Sequence, residues 1–155
     1  MKTVDVASAG GNLEQEGRKA RWSFYRSLIA AGSVDVVATG HTSSDQAETV
    51  LYRLLRGSGT AALSGIRPIT GDGIIRPLLD CNRQEVEAYL KQRGIRWRED
   101  STNRDRVFLR NRIRHELLPH LMRDYNPAFP RALTQTAVPA REGAQAWDAE
   151  VARLA

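Results

Sequence analysis

The sequence predicts an α/β fold, a parallel sheet with flanking helices, followed by a helical extension. Three observations carry this. Short β-branched runs alternate with stretches of helical periodicity, the order that builds parallel βαβ units. Val34-Asp35-Val36-Val37-Ala38-Thr39 is too short for a core helix and apolar enough for a strand covered on both faces. It runs directly into a small polar turn and then an amphipathic helix.

In chain order, Val4 to Ala7 is a weak first strand. Asn12 caps a helix with Gln15 at the reciprocal capping-box position, and Leu13, Ala20, Phe24, Leu28 and Ala31 recur at helical spacing until Gly32 closes it. The strand over 34–39 follows, then the turn Gly40-His41-Thr42-Ser43-Ser44. Asp45 to Arg56 reads as a helix stopped by Gly57, with Ala47, Val50, Leu51, Leu54 and Leu55 as its buried stripe. Gly57 to Gly65 is a small-residue connection, and Ile66 to Leu79 is a strand or hairpin turning at Thr70-Gly71-Asp72-Gly73. Asn82 and Glu85 form a second capping box for a helix ending near Gly94. A polar stretch from Arg98 to Asp105 leads into a helix over Val107 to Leu121, which Tyr125-Asn126-Pro127 breaks. The final 28 residues hold nine alanines and read as a loosely specified helix. The expected organisation is therefore a core over residues 1–79, a helical continuation over 80–127 and a helical tail over 128–155.

Composition narrows the function classes. No run of 18 apolar residues exists and Met1 to Gly11 lacks the apolar core of a secretory signal, so a membrane span or export by that route is not expected. One cysteine, Cys81, offers neither an internal disulfide nor a metal cluster, and the expected compartment is the cytoplasm. The chain carries 23 basic against 18 acidic residues, and all the basic residues are arginine except Lys2, Lys19 and Lys91. Guanidinium grips phosphate bidentately, so a polyanionic partner fits this excess.

Two stretches could carry chemistry. Asp45 and Glu48 lie three apart on one helix face where a strand gives way to a helix, with His41 in the turn before them. Ligands of open parallel sheets bind beyond the carboxyl ends of strands, where a helix N-terminus offers N–H groups to phosphate. Two carboxylates and an imidazole there suit Mg²⁺ beside a nucleotide; the other reading is that Ser44 or Asp45 serves only as the helix cap, Glu48 only favours the dipole and His41 is a solvated turn residue. The second stretch runs from Arg96 to Arg114, with seven arginines against Glu99, Asp100 and Asp105. Arg106, Arg110 and Arg114 are spaced by four and predict one helical ridge suited to a phosphate backbone, or else a solvated charged face. Glu14, Arg18 and Arg21 form a weaker third group on the first helix.

Taken in order, these pieces resemble the N-terminal domain of the tRNA(Ile)-lysidine synthases, a family of PP-loop ATP pyrophosphatases. The resemblance lies in Asn12-Leu13-Glu14 with Arg18 and Arg21, His41-x-x-x-Asp45-Gln46-x-Glu48-Thr49, and Arg53-Leu54-Leu55-Arg56-Gly57-Ser58-Gly59. It continues through Arg76-Pro77-Leu78-Leu79, Asp100-Ser101-x-Asn103-x-Asp105, and Arg110-Asn111-x-Ile113-Arg114 ahead of Leu117-Leu118-Pro119. The resemblance implies a partial Rossmann-like sheet of the adenine nucleotide alpha hydrolase type. It implies ATP and Mg²⁺ as cofactors, isoleucine tRNA with a CAU anticodon as partner, and free lysine as co-substrate; it also admits a homodimer. ATP would adenylate the C2 carbonyl oxygen of the wobble cytidine, and lysine would then displace AMP. His41, Asp45 and Glu48 would line the site, with Asp45 and Glu48 placing Mg²⁺ and Ser44 and Asp45 beside the nucleotide. Arg18 would reach a phosphate or the RNA, and Arg106, Arg110, Asn111, Arg112 and Arg114 would contact RNA.

The departures carry expectations of their own. The family's Ser-Gly-Gly-x-Asp-Ser loop, a cradle of backbone N–H groups for pyrophosphate, is absent, and Ser8-Ala9-Gly10-Gly11-Asn12-Leu13 is only an echo of it. Ser44 stands where the family often has a second Asp. The first two βα units and the C-terminal tRNA-binding region are expected to be lacking, which leaves an incomplete form or a non-catalytic tRNA-binding fragment as the alternatives to an active enzyme. Another PP-loop tRNA-modifying enzyme is the further alternative, although a tRNA thiolase of the 2-thiocytidine type uses paired cysteines, which Cys81 alone does not supply. In such a sheet Val4 to Ala7 would be the third strand and Val34 to Thr39 the fourth, both with unpaired edges. The 155-residue polypeptide is accordingly expected to be marginally stable or aggregation-prone; a sharp, cooperative calorimetric transition of the purified chain would overturn that expectation.

Overall fold

A computed structural model of the chain describes residues 13–98, 106 and 108–154. The expected strand over Val4 to Ala7, the cap at Asn12 and the motif from Asp100 to Asp105 lie outside the described residues. The chain divides into two compact units, one of Met1–Thr39 and Pro68–Arg76, the other of Gly40–Arg67 and Pro77–Ala155.

In the first unit, helix α1 spans Leu13–Ala30. Strand β1 is Val37–Ala38 and β2 is Ile74–Ile75. They pair in parallel, with Val37 opposite Ile74 and Ala38 opposite Ile75. The expected six-residue strand is therefore shortened: Val34 and Val36 stay outside the ladder and exposed. The reason is the partner. β2 emerges from a tight turn in which Gly73 N–H donates to the Thr70 carbonyl at 3.1 Å, and two residues later Pro77 has no N–H to continue a ladder. The alternative of a hairpin is also realised in part, since Ile69 makes an isolated antiparallel bridge with Ile75. Arg26 of α1 pairs with Asp72 in the turn at 2.7 Å, and Trp22 lies under the guanidinium carbons of Arg26 and Arg76 at 5.8 and 5.4 Å.

The second unit is helical. α2 spans Ser43–Leu55, a 3₁₀ turn covers Thr60–Ser64, and α3 spans Arg83–Gln92. α4 is Leu109–Arg112, a π-helical segment covers Ile113–Leu117, and α5 is Leu118–Asp124. The 26-residue α6 runs Phe129–Leu154 with Pro139 inside it. The core joins Ala47, Val50 and Leu51 of α2 to Ile113, Leu118, Leu133 and Ala137. Leu54 and Leu55, expected in the buried stripe, are exposed, because this cluster takes up only the earlier turns of α2. Gly57 at φ +67 closes α2, with Ser58 N–H donating to the Arg53 carbonyl at 3.1 Å, a Schellman arrangement.

The connection after α2 is fixed to it by side chains. Arg53 Nη1 donates to the carbonyls of Ala62 and Gly65 at 2.5 and 2.9 Å, and Gln46 Oε1 accepts from Ile66 N–H at 2.6 Å. Gly65 has φ +64, and a Cβ built there would stand 2.6 Å from both Gln46 Oε1 and Nε2. Gly65→Ala should therefore cost about 2 kcal/mol or more, combining left-handed strain with loss of the Gln46 bond. In a Gln46→Ala background the same change should cost only the backbone part. Urea denaturation of the four proteins reads the coupling, and strict additivity would refute the contact.

Candidate functional site

The residues that converge on one place in the second unit begin at the start of α2. Thr42, not Ser44 or Asp45, is the N-cap, so the helix starts two residues earlier than expected. Asp45 N–H donates to Thr42 Oγ1 at 3.4 Å, and Asp45 Oδ2 accepts from Thr42 N–H at 2.9 Å and from its hydroxyl at 2.8 Å. This capping box holds the Asp45 carboxylate in one orientation. α3 starts alongside: Ser43 N–H donates to the Cys81 carbonyl at 2.8 Å, and Arg83 N–H donates to Ser44 Oγ at 3.2 Å. The Asn82–Glu85 capping box of α3 forms as the sequence predicts.

Onto this pair of helix starts come three guanidinium groups. Arg114 grips Glu48 bidentately, Nε to Oε1 at 2.6 Å and Nη2 to Oε2 at 2.8 Å. Arg110 Nε reaches Glu48 Oε2 at 3.2 Å. Asp45 Oδ1 receives Arg114 Nη2 at 3.2 Å, Arg110 Nη2 at 3.3 Å and Arg83 Nη2 at 3.5 Å. The cluster is graded in exposure, from 3% of the Glu48 side chain and 12% of Asp45 through 16% for Arg114 and 29% for Arg110 to 40% for Arg83. Burial alone would push the Asp45 carboxyl upward; the two Thr42 bonds, Arg110 and Arg83 outweigh it and hold Asp45 below its ordinary value. For Arg114, burial opposes the charge, yet the bond to Glu48 and the two carboxylates keep its pKa above the usual one.

The structure thus brings Asp45, Glu48, Arg110 and Arg114 together. It does not build the expected ridge of Arg106, Arg110 and Arg114. Phe108 is the N-cap of α4, so Arg106 precedes the helix and pairs instead with Glu116 at 3.4 Å, 73% exposed. Arg112 is exposed and Asn111 buried. His41 is partly buried just ahead of the Thr42 cap, and Ser44 accepts from the α3 backbone. Arg18 is exposed on α1 of the other unit. Arg83 joins the cluster from outside both candidate stretches of the sequence. Its only local signal is its place directly after the Asn82 cap, and its carboxylate partner lies 38 residues away.

A directly bound Mg²⁺ does not fit Asp45 and Glu48 as arranged. All four carboxylate oxygens accept from Thr42 or from guanidinium groups, and three cations already face two anions. Among the described residues no cluster of three His, Cys, Asp or Glu side chains could complete a metal site. The expected Mg²⁺ role of this pair is accordingly not supported by the donor set.

A family model described as the PP-loop domain matches residues 1–121. The chain is 55% identical over 150 residues to a tRNA(Ile)-lysidine synthase of Solibacter usitatus, a match covering 97% of this chain and 34% of that protein. It is 49% identical over 127 residues to the synthase so named in Geobacter sulfurreducens, covering 81% and 27%, and 47% identical over 145 residues to that of Symbiobacterium thermophilum, covering 92% and 30%. The chain spans about a third of the length of these curated relatives.

The ion cluster makes a definite energetic prediction. Arg114→Ala strips a buried carboxylate of its bidentate partner and should destabilise the protein by about 3–5 kcal/mol. The double change Glu48→Leu with Arg114→Met removes both charges at similar volume and should recover most of that loss. Equilibrium urea unfolding decides: a double variant as unstable as Arg114→Ala would show that the pair is not what the site depends on.

Proposed function

This chain belongs to the PP-loop domain family, and on that footing we propose that it serves ATP-dependent tRNA modification, joining lysine to C2 of the wobble cytidine of an isoleucine tRNA bearing a CAU anticodon. The observation that carries this reading is the extent of its identity to proteins named tRNA(Ile)-lysidine synthase, which covers nearly the whole chain.

In the proposed reaction the C2 carbonyl oxygen attacks the α-phosphorus of ATP, and the bond from that phosphorus to the bridging oxygen breaks to release pyrophosphate. The side-chain amine of free lysine then attacks C2, the C2–O bond breaks, AMP departs, and the amine proton is lost to a base. Both steps put negative charge on phosphate oxygens, which fixed cations and helix N-termini stabilise without reorganising. His41, Asp45 and Glu48 form the rim and floor of the proposed site, with Ser44 beside them. Arg110 and Arg114, committed to the two carboxylates, act by fixing the site rather than by touching RNA. The exposed Arg106 and Arg112, and Arg18 in the other unit, remain the candidates for phosphate or RNA contact. ATP supplies the adenylyl group; Mg²⁺ is the metal such a reaction uses, and Asp45 and Glu48 do not hold it as arranged.

The intact protein should catalyse tRNA-dependent exchange of pyrophosphate into ATP, and Asp45→Ala should lower that rate by about 10²–10³-fold. Salt-sensitive tRNA binding with no exchange in the parent protein would replace this reading with that of a non-catalytic RNA-binding module.

A further inference from the structure

Helix α6 carries one apolar seam along most of its length. From Leu133 and Ala137 the spacing alternates between four and three, through two further alanines, to Trp147, Val151 and Leu154. That alternation keeps a single seam on one face of a helix. The two ends of the seam differ in what they meet. Leu133 is 7% exposed and Ala137 fully enclosed, both in the core with Val50 and Leu51 of α2. Trp147, Val151 and Leu154 are 72%, 57% and 74% exposed. Pro139, which has no N–H to bond the preceding turn, lies between the halves. Beyond it the helix keeps the pattern of a packed element while its seam faces water. Single exposed apolar residues are ordinary, but three on one seam, a tryptophan among them, are the makings of an interface.

Charge decides what suits this seam. In a chain of net charge +5, the charged residues from 142 to 152 are Glu142, Asp148 and Glu150, with no base among them. At the α-helical turn per residue, Asp148 falls on one side of the exposed seam and Glu150 on the other. Glu150 is held by Arg153 at 3.0 and 2.5 Å, but that pair is exposed and weak, and Arg153 lies farther round the helix from the seam. Both flanks of the exposed half are therefore acidic in every copy of the chain. A second copy laid antiparallel on that half sets acid against acid, and a parallel one gains no opposite charge there. We infer that the exposed half of α6 is the docking face for an amphipathic helix of another polypeptide, one whose apolar stripe is flanked by lysine or arginine. Trp147 is the anchor, Val151 and Leu154 extend the contact, and Asp148 and Glu150 meet the basic flanks and fix the register. The face is about two turns long, so the complex is a transient one of micromolar order.

This inference is independent of the tRNA reaction, and neither ATP nor tRNA enters its test. The probe is a fluorescein-labelled helical peptide of three heptads with leucine at the seam positions and lysine on both flanks, whose like charges oppose pairing with itself. Fluorescence anisotropy reads its binding to the full 155-residue chain. The chain should bind it about tenfold more tightly than a peptide with the same seam and glutamate flanks. Trp147→Ala should weaken binding about tenfold. Asp148→Lys combined with Glu150→Lys should reverse the preference, so that the glutamate peptide binds better, a reversal that neither apolar stickiness nor charge alone produces. These side chains reach solvent, so circular dichroism should be unchanged in both variants. Equal affinity for the two peptides, or binding indifferent to Trp147→Ala, would overturn the inference. So would a dimer in sedimentation equilibrium that Trp147→Ala dissociates, which makes a second copy the occupant, or uptake onto phosphatidylcholine vesicles that the same change abolishes, which makes it a lipid surface.

Discussion

Glu48 is a carboxylate buried to within 3% of complete enclosure, and much of the second unit is arranged around that charge. Taking a carboxylate out of water costs several kcal/mol unless a partner with good geometry answers it. The answer is Arg114, two turns of chain beyond the Phe108 cap, and its bidentate bond fixes how the helix bearing it lies on α2. Packing follows from the same placement: Ile113, next to Arg114, is 1% exposed in the core with Val50 and Leu51. Leu118 is buried beside it, five residues on. Residues five apart do not share a face of an α-helix. The π turn, with Leu118 N–H donating to the Ile113 carbonyl, brings both round to the same side while leaving Arg114 on the acid pair.

That geometry explains which parts of the molecule the sequence could disclose. Contacts within four residues were legible. The Asn82–Glu85 box and the glycine stops after α1, α2 and α3 fall where the residue types demand them. α2 starts two residues ahead of the sequence expectation because Ser43 and Ser44 are modest helix formers, whereas the cap is set by the Thr42-to-Asp45 reciprocity, a capping box with Asp in the place of Glu. The strand over 34–39 was overextended for a different reason: a β-branched run states a preference, but the length of a ladder is decided by the partner, and Gly73 and Pro77 leave β2 only two residues to offer.

What no local pattern could disclose is the choice of ionic partners. Arg110 and Arg114 lie 62 and 66 residues from Glu48. Read along the helix, their spacing is equally consistent with an outward ridge for a polyanion and an inward clamp on a carboxylate. The sequence displays the acid pair at Asp45 and Glu48 but not the identity of its counter-ions, Arg83, Arg110 and Arg114. The signal existed only as a conflict, since a helix cannot present Ile113 to a core and Arg110 and Arg114 to solvent while Leu118 is also buried unless its register shifts between them.

The arginine excess therefore cannot be translated directly into a nucleic-acid surface. Arg53 spends its donors on the Ala62 and Gly65 carbonyls, Arg26 on Asp72, and Arg123 and Arg153 on acids of their own helices. Exposed pairs of that last kind contribute little to stability; the anchoring comes from Arg114, where burial makes the bond strong and makes its loss severe. A net charge of +5 thus divides by depth. Deep guanidinium groups hold the fold, those at the edge of the acid pair make longer contacts to Asp45 at 3.3 and 3.5 Å, and the outermost, such as Arg106 and Arg112, are exposed to solvent. Burial, by setting the dielectric around each group, decides which of these three uses an arginine serves.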